Sequence, residues 1–504
     1  MGYSNREKRA KLNIIVTLVC QLLTMVCGIV VPRILITHFG SEAYGATASI
    51  TQFLSYITLL EGGVSGVARA ALYRPLANED MYQVSLVMSE IKKFFNIIAY
   101  IFVVYVLVLA VSFKHISHIE VFDWITTAIL VLVISASTFA QYFIGISYSI
   151  LLQAAQRTYI GYTINIIATI INTVMVVVLT FMGANLIAVK LISSIVFALR
   201  PFMMKLYVNQ NFKLVKVDNV KSDILKDKWT GLGQHIAYFI HSYTDIAVLT
   251  IFANLKLVSV YSVYYMVVNS IQSITASFST GMEAVFGDMY AKKEYDSLNS
   301  TFSLYETLIS SVSLLLFSVT AVMIIPFVRL YTNGVTDINY IIPELGILLV
   351  VASLIYCLRM PYHSMIIAAG HFKQTKMAAY GEAFINISIS IVLVVKHGII
   401  GVAIGTVLAV SFRFVFYALY LSKHIIKRNL LLFVKRELVS VAEFFAILVC
   451  GNAINGLFVL INFVNWVFVA IIVTILSIVF IFIGNMLFYR NNMFILLKKL
   501  KKQR

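Results

Sequence analysis

Fourteen stretches of this chain stay apolar for about twenty residues or more, and that run length limits the folds open to it. A helix rises about 1.5 Å per residue, so roughly 20 apolar residues cross a hydrocarbon layer about 30 Å thick. The runs fall at 12–37, 46–70, 94–113, 123–152, 160–182, 186–208, 231–254, 257–285, 301–330, 341–369, 377–396, 399–422, 438–461 and 465–489. With 60% hydrophobic and 12% charged side chains in 504 residues, too little polar surface exists for a soluble globule of this size. The pattern predicts an all-α polytopic membrane protein of about 14 transmembrane helices.

The net charge of +17 does not signal nucleic acid, because the basic residues sit between the runs. Of the 39 Lys and Arg, thirty fall on one alternate set of loops and five on the other. The positive-inside rule then places both termini in the cytoplasm. The basic 1–11 stretch leads into an apolar run without a small-residue cleavage site, which reads as a retained span. No loop on the outer side exceeds about a dozen residues, leaving nowhere for an external active site, and no GxxxxGK[ST] phosphate loop is present. The chain therefore reads as a non-enzyme. Cys20, Cys27, Cys357 and Cys450 lie inside apolar runs with no CxxC spacing, so they read as small buried hydrophobes, and no metal or other cofactor is expected.

Two stretches read as copies. Residues 151–174 lie over 365–388 at a spacing of 214, with Ala154-Ala155 on Ala368-Ala369 and Asn172 on Asn386. One inserted residue carries the register on, placing Gly183 on Gly398, Ala188 on Ala403 and Phe197 on Phe412. An even number of spans per copy makes the copies parallel in the membrane, with the substrate site expected at their interface. The longest polar break, 209–230, then links an N-terminal six-helix lobe (1–208) to a C-terminal one (231–430). Residues 431–504 add two further helices and a basic tail. Those helices, with Asn452, Asn455 and Asn485 as their main polar members, read as a lipid-facing addition to the core.

An ionised side chain deep in a bilayer costs about 2.5–3.5 kcal/mol, so such groups normally meet a partner or an aqueous cavity. Arg33 and Arg69 lie near run ends and can snorkel to the headgroups. Arg359 and Arg413 lie deeper, and are expected to line a cavity without compensation. Glu283 falls at a solvated end. Glu61 opens the run Glu61-Gly62-Gly63-Val64-Ser65-Gly66, which reads either as a helix break or as close packing through small residues. Asp245 falls mid-run with His241 one turn before it, and Glu382 and Asn386 share a helix face at i, i+4. Glu382 aligns with Ala168 and Arg413 with Ala198, and these departures from symmetry are the better candidates for function. The structural alternative pairs Asp245 with His241 and Glu382 with Lys376.

The chain resembles the polysaccharide-transporter (Wzx-type) branch of the MOP/MATE flippase superfamily over essentially its full length. The resemblance rests on Pro32-Arg33-Ile34-Leu35, His38-Phe39-Gly40-Ser41-Glu42-Ala43-Tyr44-Gly45, the Ala368-Ala369-Gly370 turn with its copy Ala154-Ala155-Gln156, and Thr244-Asp245-Ile246. It implies a two-lobed flippase of the bacterial plasma membrane that moves undecaprenyl-diphosphate-linked oligosaccharide outward for capsule, O-antigen or exopolysaccharide assembly. On that reading Arg33, Arg69, Arg359, Arg413 and Glu61 contact substrate, and the last two spans guide the lipid tail. Asp245, Glu382, Asn386 and Thr406 hold a coupling cation, sodium or a proton in function. The partners are the lipid-linked oligosaccharide, membrane lipids and glycan-assembly proteins, with no nucleic acid. A cation-coupled multidrug exporter of the same fold is disfavoured by the deep arginines and the span count, and a membrane polysaccharide polymerase by the short outer loops.

Overall fold

The computed structural model describes residues 3–215, 217, 232–277, 282–459 and 461–502. Most of the expected 209–230 linker lies outside the described residues. The described residues are helical with short connections, and divide into two compact units, Met1–Phe239 with Asn254–Ser259, and Ile240–Ala253 with Val260–Arg504.

The first unit holds α1 (Tyr3–Phe39), α2 (Ser41–Leu54), α3 (Val64–Ala77), α4 (Met81–Ser117), α5 (Trp124–Ala140), α6 (Ile146–Ala154), α7 (Thr158–Phe181) and α8 (Leu186–Asn211). Polar residues in the loops set the starts: Asp80, Asp123 and Asn185 each accept a backbone N–H three residues on, at 2.9, 3.2 and 2.9 Å, capping α4, α5 and α8. The expected span at 46–70 is broken. After Leu54 the chain tightens into a 3₁₀ turn, Ser55–Glu61, and Gly62 and Gly63 both take the left-handed conformation, φ 51° and 84°. Nothing stands within 4 Å of a Cβ built on Gly66, so the glycine run here serves the break and not close packing.

The second unit holds α9 (Leu232–Phe252) from Ile240 on, its first part and the first turn of α10 (Leu255–Ser277) belonging to the first unit, then the rest of α10, α11 (Met282–Ala291), α12 (Tyr295–Tyr331), α13 (Pro343–Ala368), α14 (Phe372–His424), α15 (Leu431–Gly456), α16 (Phe463–Phe488) and α17 (Arg490–Lys502). With 53 residues, α14 would run about 80 Å if straight. It is instead folded in two at Gly398, whose φ 54° and ψ −133° suit glycine alone. Side chains meet in steps outward from that residue: Gly401 against Leu393, Gly405 against Ser390, Asn386 against Thr406, Glu382 against Arg413. The arms form an antiparallel helical hairpin.

Among the described residues, eleven helices are long and apolar enough to cross a membrane, α14 counted once. The expectation was about fourteen. Folded α14 and the broken 46–70 segment account for two of the three, and α9 enters only as the shorter apolar stretch Tyr243–Phe252. Large apolar side chains point outward from these helices, Val104, Phe384 and Val395 at 63, 73 and 75% exposure. Such surface is tolerable only against lipid, and the chain is a multi-pass membrane protein.

The repeat is visible bond by bond. Asn78, Glu79 and Asp80 donate to the carbonyls of Arg74, Leu76 and Pro75, and 214 residues on Lys292, Lys293 and Glu294 donate to those of Asp288, Tyr290 and Met289. Ala155, Gln156 and Arg157 donate to Leu151, Gln153 and Leu152, and at the same spacing Ala369, Gly370 and His371 donate to Met365, Ile367 and Ile366. The residue past each helix end is left-handed, φ 58° at both Glu79 and Lys293, 56° at Gln156 and 74° at Gly370. Helices α4 and α12 have 37 residues each. The inserted residue falls before the next turn, where Gly183 (φ 79°) matches Gly398 at a spacing of 215.

Helices α15 and α16 do not simply face lipid. Val469 and Val473 of α16 are fully buried against Val322 and Met323 of α12, and the Trp466 indole donates to the Met323 carbonyl at 3.1 Å. Their far faces, including Val464 and Ile471, are exposed.

Candidate functional site

Two sealed polar groups sit side by side along the α14 hairpin. The first is built on Asp245 of α9, 7% exposed. Its Oδ2 accepts from the Tyr261 hydroxyl at 2.5 Å and from Thr406 Oγ1 at 2.8 Å. Thr406 in turn accepts from Asn386 Nδ2 at 3.0 Å, a contact that only the fold at Gly398 makes available. Asp245 Oδ1 and Asn386 Oδ1 are buried and accept no hydrogen bond. Two orphaned oxygens beside a hydroxyl are a set of hard donors, and a buried carboxylate without a counter-charge is costly. The donor set fits a small monovalent cation. The side chain of His241 lies outside the described residues.

The second group is a triad. Arg359 Nη1 donates to Glu382 Oε1 at 2.8 Å, and Arg413 Nη1 to Glu382 Oε2 at 2.5 Å. Arg413 also donates to the Tyr417 hydroxyl from Nε and Nη2, at 2.9 and 2.7 Å. Exposures of 6, 1 and 4% seal Arg359, Glu382 and Arg413 inside the second unit. This corrects two expectations. The arginines are not uncompensated, and Glu382 does not join the Asp245 group, because both its oxygens are held by guanidinium groups; nor does it pair with Lys376.

The remaining sequence candidates lie in the first unit. Arg69 is half-buried and donates to Gln153 Oε1 at 2.9 Å. Glu61, at the helix break, accepts from Ser65. Arg33 is half-buried on α1, directly after Pro32. Glu283 is exposed at the start of α11.

Sequence reasoning missed a third cluster. Glu306 on α12, 3% exposed, is gripped by Arg428 at 2.8 and 2.6 Å, faces Arg436 at 3.5 Å and accepts from the Tyr362 hydroxyl. Arg436 also donates to Thr307 at 3.1 Å. The two arginines read as loop charges that set topology, which hid their structural use. Glu306, six residues inside an apolar run, was the available signal. Tyr417, one turn after Arg413, was another.

No protein-family model and no curated protein matches the sequence. Solved structures do match. The lipid II flippase MurJ in an inward-closed conformation superposes with a TM-score of 0.69 at 16% identity, over 96% of this chain and 99% of that one. An inward-facing MATE-family multidrug-resistance transporter of the MOP superfamily gives 0.63 at 14% identity, over 82% and 99%. A eukaryotic MATE transporter gives 0.57 at 12%, over 85% and 98%. The fold is that of MurJ and the MATE transporters. The two MATE structures cover 82 and 85% of this chain, whereas MurJ covers 96% of it.

Proposed function

We propose that this protein is a flippase that carries undecaprenyl-diphosphate-linked oligosaccharide from the inner to the outer leaflet of a bacterial plasma membrane, by alternating access. The observation that carries this reading is the likeness to a lipid flippase over 96% of this chain, against 82% for a multidrug transporter. Arg33 and Arg69 are half-buried, whereas Arg359 and Arg413 are sealed in the triad, so the first two are the in-span arginines nearer to a diphosphate's reach. Guanidinium groups bind phosphate oxygens by paired, charge-assisted hydrogen bonds. Arg359 and Arg413 reach substrate only in a state where Glu382 has released one of them.

The Asp245 group supplies the coupling element in this reading. Asp245 Oδ1, Asn386 Oδ1 and Thr406 Oγ1 would hold sodium or, at Asp245, a proton. A cation bound more tightly in one conformation biases the second unit toward it. The deciding experiment is reconstitution of the purified chain into proteoliposomes with fluorescent lipid-linked oligosaccharide. Transbilayer movement that is lost in Arg69→Ala supports the proposal. Movement of cationic dyes with no movement of the lipid would make the chain a drug exporter instead.

A further inference from the structure

A cavity of about 600 Å³ opens among the C-terminal end of α12, the first turns of α13 and the last turns of α15. It lies wholly within the second unit, away from the Asp245 group and the triad. Along α12, Arg329 stands 23 residues beyond Glu306, about 35 Å at helical rise, more than a hydrocarbon core is thick. The cavity therefore sits at the headgroup level of the membrane face opposite the Glu306 cluster.

Its lining has a definite chemistry. Among the described residues Arg329 is the single charged group of the lining, exposed and without a hydrogen bond or ion pair, and none of them brings a carboxylate to the space. Asn452 and Asn455 lie one turn apart on α15, and Asn455 Oδ1 is buried with no donor to satisfy it. Val322, Ile325 and Ile347 supply apolar walls. Beyond Pro343 and Ile347, which both spaces share, a second apolar groove of about 540 Å³ continues past Leu348, Ile400 and Ile404. Glu344 lines that groove, which turns an anion back toward Arg329.

We propose that this cavity is a glycerophospholipid site, with the phosphodiester on Arg329, a headgroup hydroxyl donated to Asn455 Oδ1, and an acyl chain along the Ile347 groove. One cation matches the single negative charge of a phosphodiester. A lipid diphosphate, carrying about two charges, would leave one unpaired, so the transported lipid is the poorer occupant. The site is independent of the transport reading, and holds whatever the protein carries.

The test uses the full-length protein in detergent, delipidated and titrated with phosphatidylglycerol by native mass spectrometry. The wild type should bind one lipid per chain before any others, Arg329→Lys should retain it, and Arg329→Gln should weaken it at least ten-fold. Asn455→Leu should erase the preference for phosphatidylglycerol over phosphatidic acid, whose headgroup has no glycerol hydroxyls. Equal binding by wild type and Arg329→Gln overturns the proposal. Displacement of the lipid by inorganic phosphate would reduce the site to one for free anions, and tighter binding of farnesyl diphosphate than of phosphatidylglycerol would make it a station for polyprenyl diphosphates; either result overturns the assignment.

Discussion

Arg413 and Glu382 lie on opposite arms of one helical hairpin, 2.5 Å apart, with Arg359 of the neighbouring helix on the other carboxylate oxygen. Three charges sealed from solvent sum to a single positive one, so the consequence of removing a member depends on its sign.

Glu382→Gln leaves two guanidinium groups facing a neutral amide. An uncompensated buried charge costs about 3–5 kcal/mol, so this variant should lose most of its thermal stability in detergent. Arg413→Gln leaves a neutral Arg359–Glu382 pair and should cost less, about 1–3 kcal/mol. Equal losses in the two would mean that packing, not charge, holds the triad together.

Sodium should stabilise the protein through Asp245. A ligand that binds only the folded state at a hundred times its Kd adds about 2.7 kcal/mol. The melting temperature should rise when potassium chloride is replaced by sodium chloride at equal ionic strength, and Asp245→Asn should abolish that rise. A wild type indifferent to the exchange removes sodium as the coupling ion and leaves the proton.

The left-handed turn residues offer a paired test of the repeat. Gly370 has nothing within 4 Å of its missing Cβ, so Gly370→Ala meets backbone strain alone and should cost about 1 kcal/mol. Gln156, its counterpart, already bears that strain at φ 56°, and Gln156→Gly should be neutral or stabilising. A loss from Gln156→Gly would show that its side chain holds the turn.

Truncation after Lys435 tests the docking of the C-terminal hairpin. The cut uncovers Val322 and Met323 and removes Arg436 from Glu306, while Arg428 still compensates that carboxylate. The shortened chain should insert but aggregate on size exclusion. A monodisperse, active product would mean that α15 and α16 are dispensable.

Much of the fold was legible, because run length and loop charge follow directly from the chemistry of a bilayer. The 214-residue register was legible too, in Ala154-Ala155 and Asn172, since equivalent turns in both copies need small residues or a left-handed position. Asn386 was legible as a polar group within an apolar run, and Thr406 only through the family resemblance. Their pairing was hidden until the chain folds at Gly398, and no local pattern gives contacts across 20 residues of a hairpin. Tyr261 was invisible because a tyrosine in an apolar run reads as packing. Arg428 and Arg436 were misread because basic residues at a helix end carry a topological meaning that masks any second use.

The folded α14 leaves little room for internal sliding. A Cβ on Gly401 would overlap the Leu393 carbonyl, and one on Gly405 would overlap Ser390, so the arms touch backbone to backbone near the bend. Asn386 and Thr406, next out from the bend, therefore travel together through any cycle the protein performs. Asp245 rides on a different helix. The 2.8 Å hydrogen bond from Thr406 to Asp245 is thus the latch of the site, the place where one body can part from another without either being deformed.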